Sequence, residues 1–363
     1  MKNKIMTYLF MFILFSFMIL SFIFKDNLVS VSERRKLATF PSFSWQTILD
    51  NSYFSELNSY LVDQFPFRNS FRKIKAIFAS SILKQKESHG VLEKDGYLFQ
   101  IDASMNEKSV SYFLQKINGV NREYLKNQNI YFAMIPDKNY YLTDDSIPKL
   151  DYLKLENELK ENLDHNIKWI DLKNNLSLDS YYLTDIHWKQ ESLEPVLKCL
   201  QENMKLDNTT FPTKEYTYSN FYGALYSRGS FHVSVDSLTY LTNNTIQNAN
   251  VYNYEKKENQ VVYNPDYLKH MDSYDVFLSG ATPLLTITNK EATTDRELIL
   301  FRDSFGSSIA PLIIKNYQKI TMIDLRYIGS KYLASINDID FTDNSDVLFL
   351  YSVPIINNSF TLK

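Results

Sequence analysis

Two short segments of this 363-residue chain carry residue types that do acyl chemistry when brought together. The first is Thr184-Asp185-Ile186-His187-Trp188, set between a strand pattern and a helix pattern. A carboxylate two residues from a histidine can support the imidazole through Nδ1 and fix its tautomer. On its own, Asp-x-His fits a surface loop equally well. The second segment is Leu298-Ile299-Leu300-Phe301-Arg302-Asp303-Ser304-Phe305-Gly306-Ser307-Ser308, an apolar strand that runs through a small polar turn into a helix. In an open α/β sheet, ligands bind beyond the carboxyl ends of the strands. Ser304 would be exposed there, and N–H groups at the helix N-terminus would receive an oxyanion. The competing reading makes Ser304 or Asp303 a helix cap. Together the two segments supply a Ser, a His and an Asp at positions suited to nucleophilic catalysis.

The remaining histidines narrow the choice. The chain has five: His89, His165, His187, His232 and His270. Glu87 precedes His89 by two residues in a polar stretch, and His165 follows Asp164 at a polar helix end. Only His187 has an acid at that offset within an aromatic-flanked turn. No His/Asp/Glu cluster has metal-ligand spacing, and no glycine-rich phosphate loop is present. The sequence therefore calls for neither metal nor cofactor.

The scaffold is read from periodicity. Helical spacing covers 45–63 and 68–85, with Pro66 between them, and Asp95-Gly96 marks a hairpin within 91–101. Helix patterns at 107–127, 150–164 and 189–203 alternate with strands at 130–135 and 168–172. The rhythm resumes with strands at 298–301, 319–323 and 347–351 and helices at 305–316 and 329–336. Such alternation predicts an α/β fold with a mainly parallel sheet. Residues 205–270, polar and rich in Asn, Tyr and Thr, are expected to form an inserted lobe of loops and short strands.

Compartment follows from the N-terminus and the thiol count. Residues 7–24 are an uncharged apolar run of 18, about 27 Å long as a helix. Lys2 and Lys4 precede it, which favours a cytoplasmic N-terminus and an outside domain. A cleaved signal peptide is the rival reading, but bulky Phe22, Ile23 and Phe24 make a poor cleavage site. The expectation is a single-pass cell-membrane protein: stub and signal-anchor in 1–25, a linker and helical segment packing on the core in 26–90, and one extracellular domain in 91–363. One cysteine, Cys199, precludes an internal disulfide. A net charge of −3 argues against a nucleic-acid partner. Richness in Tyr and Asn suits a carbohydrate-facing surface, or reflects an AT-rich genome, which enriches Phe, Tyr, Ile, Asn and Lys together.

At this point the motifs resemble a known family. Glu33-Arg34-Arg35-Lys36-Leu37-Ala38, Phe40-Pro41, Asp63-Gln64-Phe65-Pro66-Phe67-Arg68, Ile135-Pro136-Asp137-Lys138, Asp185-Ile186-His187-Trp188, Arg302-Asp303-Ser304-Phe305-Gly306 and Asp324-Leu325-Arg326-Tyr327 fall in the order seen in DHHW proteins and the related alginate O-acetyltransferases. Ile186 stands where a second His is usual, Arg302 where classical SGNH hydrolases have Gly, and the late Asp-x-x-His of those enzymes is absent. The resemblance implies an SGNH-hydrolase-like three-layer α/β/α sandwich. It makes Ser304 the nucleophile, His187 the base and Asp185 its orienting acid. The Ser304 N–H is a candidate oxyanion donor, with Gly280 and Arg302 as further candidates and Arg326 and Tyr327 bordering the pocket. It further implies acetyl transfer to hydroxyls of an envelope or extracellular polysaccharide, with a multi-pass membrane acyltransferase as acetyl donor. A polysaccharide acetylesterase and a non-catalytic scaffold of a modification complex are the alternatives.

Overall fold

Four strand-forming runs, 129–135, 297–302, 319–323 and 345–352, form the middle of one sheet because each is apolar enough to be buried on both faces. The computed structural model describes residues 2–144, 146–208, 210–229, 231–336, 339, 341 and 345–363. Strands β1 (Asn129–Ile135), β2 (Ile167–Asp171), β3 (Asn250–Asn253), β4 (Glu258–Gln260), β5 (Leu284–Thr288), β6 (Glu297–Arg302), β7 (Lys319–Ile323) and β8 (Ser345–Ser352) form an eight-stranded sheet ordered β4-β3-β5-β7-β6-β8-β1-β2. The block β7-β6-β8-β1-β2 is parallel throughout, and β5, β3 and β4 add antiparallel to its edge. Strand β6 lies inside the parallel block, with Phe301 level with both Ile323 and Phe349. Its carboxyl end therefore opens between two neighbouring strand ends, where an open sheet presents a ligand site.

The helices that lead into the domain and flank its sheet are α1 (Lys2–Ile23), α2 (Trp45–Leu49), α3 (Ser52–Asp63), α4 (Arg68–Ile77), α5 (Glu107–Tyr124), α6 (Tyr152–Asn162), α7 (Glu194–Asn203), α8 (Gly306–Ile313) and α9 (Val353–Asn357), and two short helices, Ala224–Gly229 and Asn244–Asn248, lie between α7 and α8 in the chain. Alternate strand residues send side chains to opposite faces. Leu298 and Leu300 join Val196 and Leu200 of α7 and Ile309 of α8 in one core, while Ile299 and Phe301 join Phe113 of α5, Leu155 of α6 and Ile356 of α9 in another. Burying each such side chain is worth about 1.5–3 kcal/mol. Every residue of α8 is buried, so the helix that follows β6 lies inside the molecule and fixes the turn before it.

Local chemistry explains the boundaries. Asp95 and Gly96 have φ of 51° and 83°, the pair of left-handed residues that a two-residue hairpin turn needs, and join Val91–Lys94 to Tyr97–Gln100. Asn51, at φ 62°, divides the expected 45–63 helix into α2 and α3. Pro195 in its first turn starts α7 at Glu194, not at 189.

Two expectations need correction. The 205–270 stretch is not a separate lobe: its last strands, β3 and β4, extend the main sheet, while Lys214–Phe221 and Asp236–Thr242 pair as their own hairpin. Strand β5 fell outside every expected element. The second correction concerns 26–90, where helices α2, α3 and α4 bury only Ala76. Contact with the domain runs through Arg34 of the extended strap around residues 28–38, and through Lys75, Ala76 and Ala79, which line one cavity with His89 and Phe231. Two sequence motifs interlock there: Glu33 pairs with Arg68 and Arg72, and Arg35 with Asp63. Within α1, Lys4–Ile23 is long and apolar enough to cross a membrane, with mean hydropathy 2.3 and none of it buried.

Candidate active site

The long connection from β2 to α7 and the turn after β6 bring Asp185, His187 and Ser304 into one line. His187 Nδ1 lies 2.5 Å from Asp185 Oδ1, and its Nε2 lies 2.7 Å from Ser304 Oγ. With Asp185 ionised, Nδ1–H donates to the carboxylate and Nε2 accepts from the serine hydroxyl, the tautomer following from the network. Asp185 is fully buried and His187 nearly so, while Ser304 is partly exposed. Burial alone would raise the Asp185 pKa. The His187 ring, the Arg34 guanidinium and the Ala224 N–H outweigh it and hold the carboxyl well below the usual carboxylate range.

The acid's turn is held from three sides. Buried Lys138 donates to the carbonyls of Tyr182 (3.0 Å), Leu183 (3.2 Å) and Asp185 (2.8 Å). Burial pushes its pKa down to about 7. Asp236 accepts from the N–H groups of Leu183 and Thr184, both at 2.7 Å, and from the Thr184 hydroxyl. On the third side the backbone at Gly223–Leu225 lies against Thr184 and Asp185, and Ala224 N–H donates to Asp185 Oδ2 at 2.7 Å. No side chain fits at Gly223, since a Cβ there would sit 2.3 Å from the Thr184 carbonyl oxygen. Arg34, itself in a left-handed conformation at φ 52°, reaches Asp185 Oδ2 at 3.3 Å and also pairs with Asp272.

The nucleophile's turn is fixed as firmly. Asp303 accepts from Phe305 N–H (3.0 Å) and from both the N–H (2.8 Å) and hydroxyl (2.6 Å) of Ser352 at the end of β8. Gly306 passes over the Arg302 side chain so closely that a Cβ would lie 2.7 Å from the Arg302 Cβ. The His187 ring stacks on Tyr274 with centroids 3.9 Å apart and an 11° interplanar angle, and meets Phe305 at 4.7 Å. One hydroxyl, Ser308 Oγ, accepts from both Trp188 Nε1 (2.8 Å) and Tyr274 OH (3.0 Å), locking two aromatics around the imidazole.

The other candidate residues part company with the line. Among the described residues, nothing accepts from the Ser304 N–H, which is thus available to an oxyanion. The Gly280 N–H is not, because it already donates to the Phe277 carbonyl at 3.2 Å. Arg302 is fully buried, with one nitrogen 3.6 Å from Asp324 and with Nε and a second amine left without partners; burial lowers its pKa. Arg326 is committed to Asp324 through bonds of 2.9 and 2.6 Å. Tyr327 is half exposed beside it. Arg302 and Arg326 thus share one buried carboxylate at the neighbouring strand end.

Sequence reasoning missed Arg34, Gly223, Asp236, Lys138 and Tyr274 as supports. Arg34 and Lys138 lie inside motifs quoted for the resemblance, so the motif itself was their signal. Nothing local marks Gly223, Asp236 or Tyr274.

Geometry of this kind defines an α/β protein with a Ser-His-Asp line at the carboxyl end of a parallel sheet. Residues 33–142 match the family model described as DHHW protein. Among solved structures, a DHHW family protein from Eubacterium siraeum is 18% identical, covers 76% of this chain and 94% of its own, and superposes with a TM-score of 0.58. Bacillus cereus PatB1 is 19% identical over 73% of this chain and 96% of its own, with a TM-score of 0.57. The structure of PatB1 with a sulfonyl adduct is similar to the same degree, at 18% identity and a TM-score of 0.57. These likenesses bear out the resemblance to the DHHW family and the expectation of an α/β fold with a mainly parallel sheet. A comparison with curated proteins gives no match.

Proposed function

We propose that the chain is an extracytoplasmic O-acetyltransferase that acts on a cell-envelope or extracellular polysaccharide. One observation carries the reading: a serine hydroxyl, an imidazole and a buried carboxylate linked in series, with the serine as the partly exposed member. His187 Nε2 takes the Ser304 proton as Oγ attacks the acetyl carbonyl, and the Ser304 N–H faces the developing oxyanion. The imidazolium, steadied by Asp185, returns its proton to the leaving group. A sugar hydroxyl then gives its proton to His187 and attacks the acetyl-serine, restoring Ser304. The acetyl and polysaccharide parts rest on the motif resemblance to alginate O-acetyltransferases. In the same reading, residues 91–363 form the SGNH-hydrolase-like domain. Lys4–Ile23 anchors it in the membrane beside a multi-pass acyltransferase, which raises the effective concentration of the acetyl donor.

The test supplies the detergent-solubilised full chain with an activated acetyl ester, with and without oligosaccharide acceptors. Acetylated sugar supports transfer, while free acetate alone converts the assignment to an esterase. Ser304→Ala is expected to lower either product by about 10⁴-fold or more. Wild-type rates in Ser304→Ala would end the triad proposal, and no product above background from the wild type would favour a scaffold.

A further inference from the structure

The segment that leads from α1 to the domain carries its amphipathicity the wrong way round for a protein-packed helix. The one buried residue of α4, Ala76, is small. Its large apolar residues Phe67, Phe71, Ile74, Phe78, Ile82 and Leu83 are all exposed, by 47% to 65%. Phe71, Ile74, Phe78 and Ile82 recur at spacings of three, four and four, which places them on one side of the continuous helical stretch 68–82, and Phe67 caps its start. Lys73 and Lys75, both exposed, flank that side. Residues 64–86 hold six Lys and Arg and no Asp or Glu.

The same segment touches the candidate span. Phe17, inside Lys4–Ile23, stacks on Phe65 at 5.2 Å and meets Phe71 at 5.9 Å, and Phe24 meets Phe67 edge-on at 5.4 Å. Just past the helix end, Gln64 holds Asn27 through bonds of 3.0 and 2.9 Å, and the Tyr60 hydroxyl donates to Asp26. Phe17 lies six residues inside the end of the span, about 9 Å along the helix axis. Aromatic side chains that pack on it occupy the same depth. Interfacial helices bury their apolar face by about 5–10 Å and keep cationic side chains at the headgroups.

We propose that α4 and the helical turn after it lie in the outer membrane–water interface, with Phe71, Ile74 and Phe78 in the acyl region and Lys73 and Lys75 at anionic headgroups. The occupant of the apolar face is lipid, as continuity with the span and the basic flanks require. Because Arg68 and Arg72 hold Glu33, one residue from Arg34, this helix also fixes the height and tilt of the Ser304 site above the bilayer.

The proposal rests on the reading of Lys4–Ile23 as a membrane span, so the experiment tests both. The full chain, as Cys199→Ser, is reconstituted in phosphatidylcholine–phosphatidylglycerol nanodiscs with a nitroxide at a single introduced cysteine: I13C, F71C, I74C, F78C or K256C. Oxygen and nickel-chelate accessibilities are read by electron paramagnetic resonance. Labels at 13, 71, 74 and 78 are expected to favour oxygen, and the label at 256 nickel. Aqueous labels at 71, 74 and 78 beside a lipidic label at 13 overturn this inference and leave the span intact. An aqueous label at 13 removes the span reading and this inference with it. Protection of 71, 74 and 78 from both reagents overturns it in favour of a protein cover, whether a second copy or a membrane partner.

Discussion

Gly223→Ala is a methyl-sized change far from Ser304 in sequence, and it is expected to disable the site. The added Cβ would lie 2.3 Å from the Thr184 carbonyl oxygen and 2.4 Å from the Asp185 nitrogen, where ordinary contact begins at 3.4 Å. Both sides are backbone, and Thr184 is already fixed by Asp236, so the strands of chain must part by about 1 Å. Four hydrogen bonds cross the gap and lengthen together: Gly223 N–H to the Thr184 hydroxyl (3.0 Å), Ala224 N–H to Asp185 (2.7 Å), and the Leu225 (3.0 Å) and Tyr226 (3.2 Å) N–H groups to the Thr184 carbonyl. Asp185 moves with its turn and takes the His187 ring with it. A misplacement of that size costs about 10²-fold in rate, and the strained packing about 1–3 kcal/mol in stability. The assay is the second-order rate at which a sulfonyl fluoride labels Ser304, read by mass spectrometry beside a thermal melt. Gly119→Ala is the control: nothing lies within 4 Å of its Cβ, so it should label like the wild type and melt slightly higher. Wild-type labelling by folded Gly223→Ala would refute the claim that the 223–225 segment positions the acid.

Two further outcomes follow from charge. Arg34→Gln removes a cation 3.3 Å from Asp185 that helps hold its carboxyl low. A depressed carboxyl stabilises above its ordinary pKa and loses that contribution as pH falls, so the acid limb of the labelling profile should move to higher pH in the variant; an unmoved limb refutes the role. Asp137 behaves oppositely: burial pushes its pKa up to about 6 despite the Tyr152 hydroxyl that donates to it. The folded state then binds the proton more tightly than the unfolded one, and stability is lost as pH rises from about 4 through 6, by roughly 3 kcal/mol in all. Asp137→Asn should remove that slope between pH 4 and 7 and melt higher at pH 7; a retained slope in thermal melts would show another group is responsible.

The sequence was readable where local rules agree with the fold. Lys319–Ile323 matches its expected bounds because a short apolar run between polar ends has few alternatives when both faces are buried. Asp95-Gly96 announced its hairpin because those residues tolerate left-handed backbone. Ser304 and His187 were legible as a polar pair in apolar surroundings. Strand β5, Leu284–Thr288, was not, since Leu-Leu-Thr-Ile-Thr holds only three apolar residues in five, too short a run to carry a period of its own. Gly223 was illegible for a different reason. Its need arises from backbone 39 residues away, which no window along the chain can contain. Arg34 was quoted as part of a motif, yet its partner lies 151 residues on.

Those separations bear on how the protein comes into being. Ser304 meets His187 across 117 residues and Asp185 meets Arg34 across 151, so the line closes only when distant parts of the chain have met. Contacts of that length form late, since loop closure must be completed before they are rewarded. An incompletely folded chain therefore holds a plain serine, inert toward esters and toward its own intermediates. The onset of Ser304 reactivity during refolding thus serves as a clock for the last step of assembly.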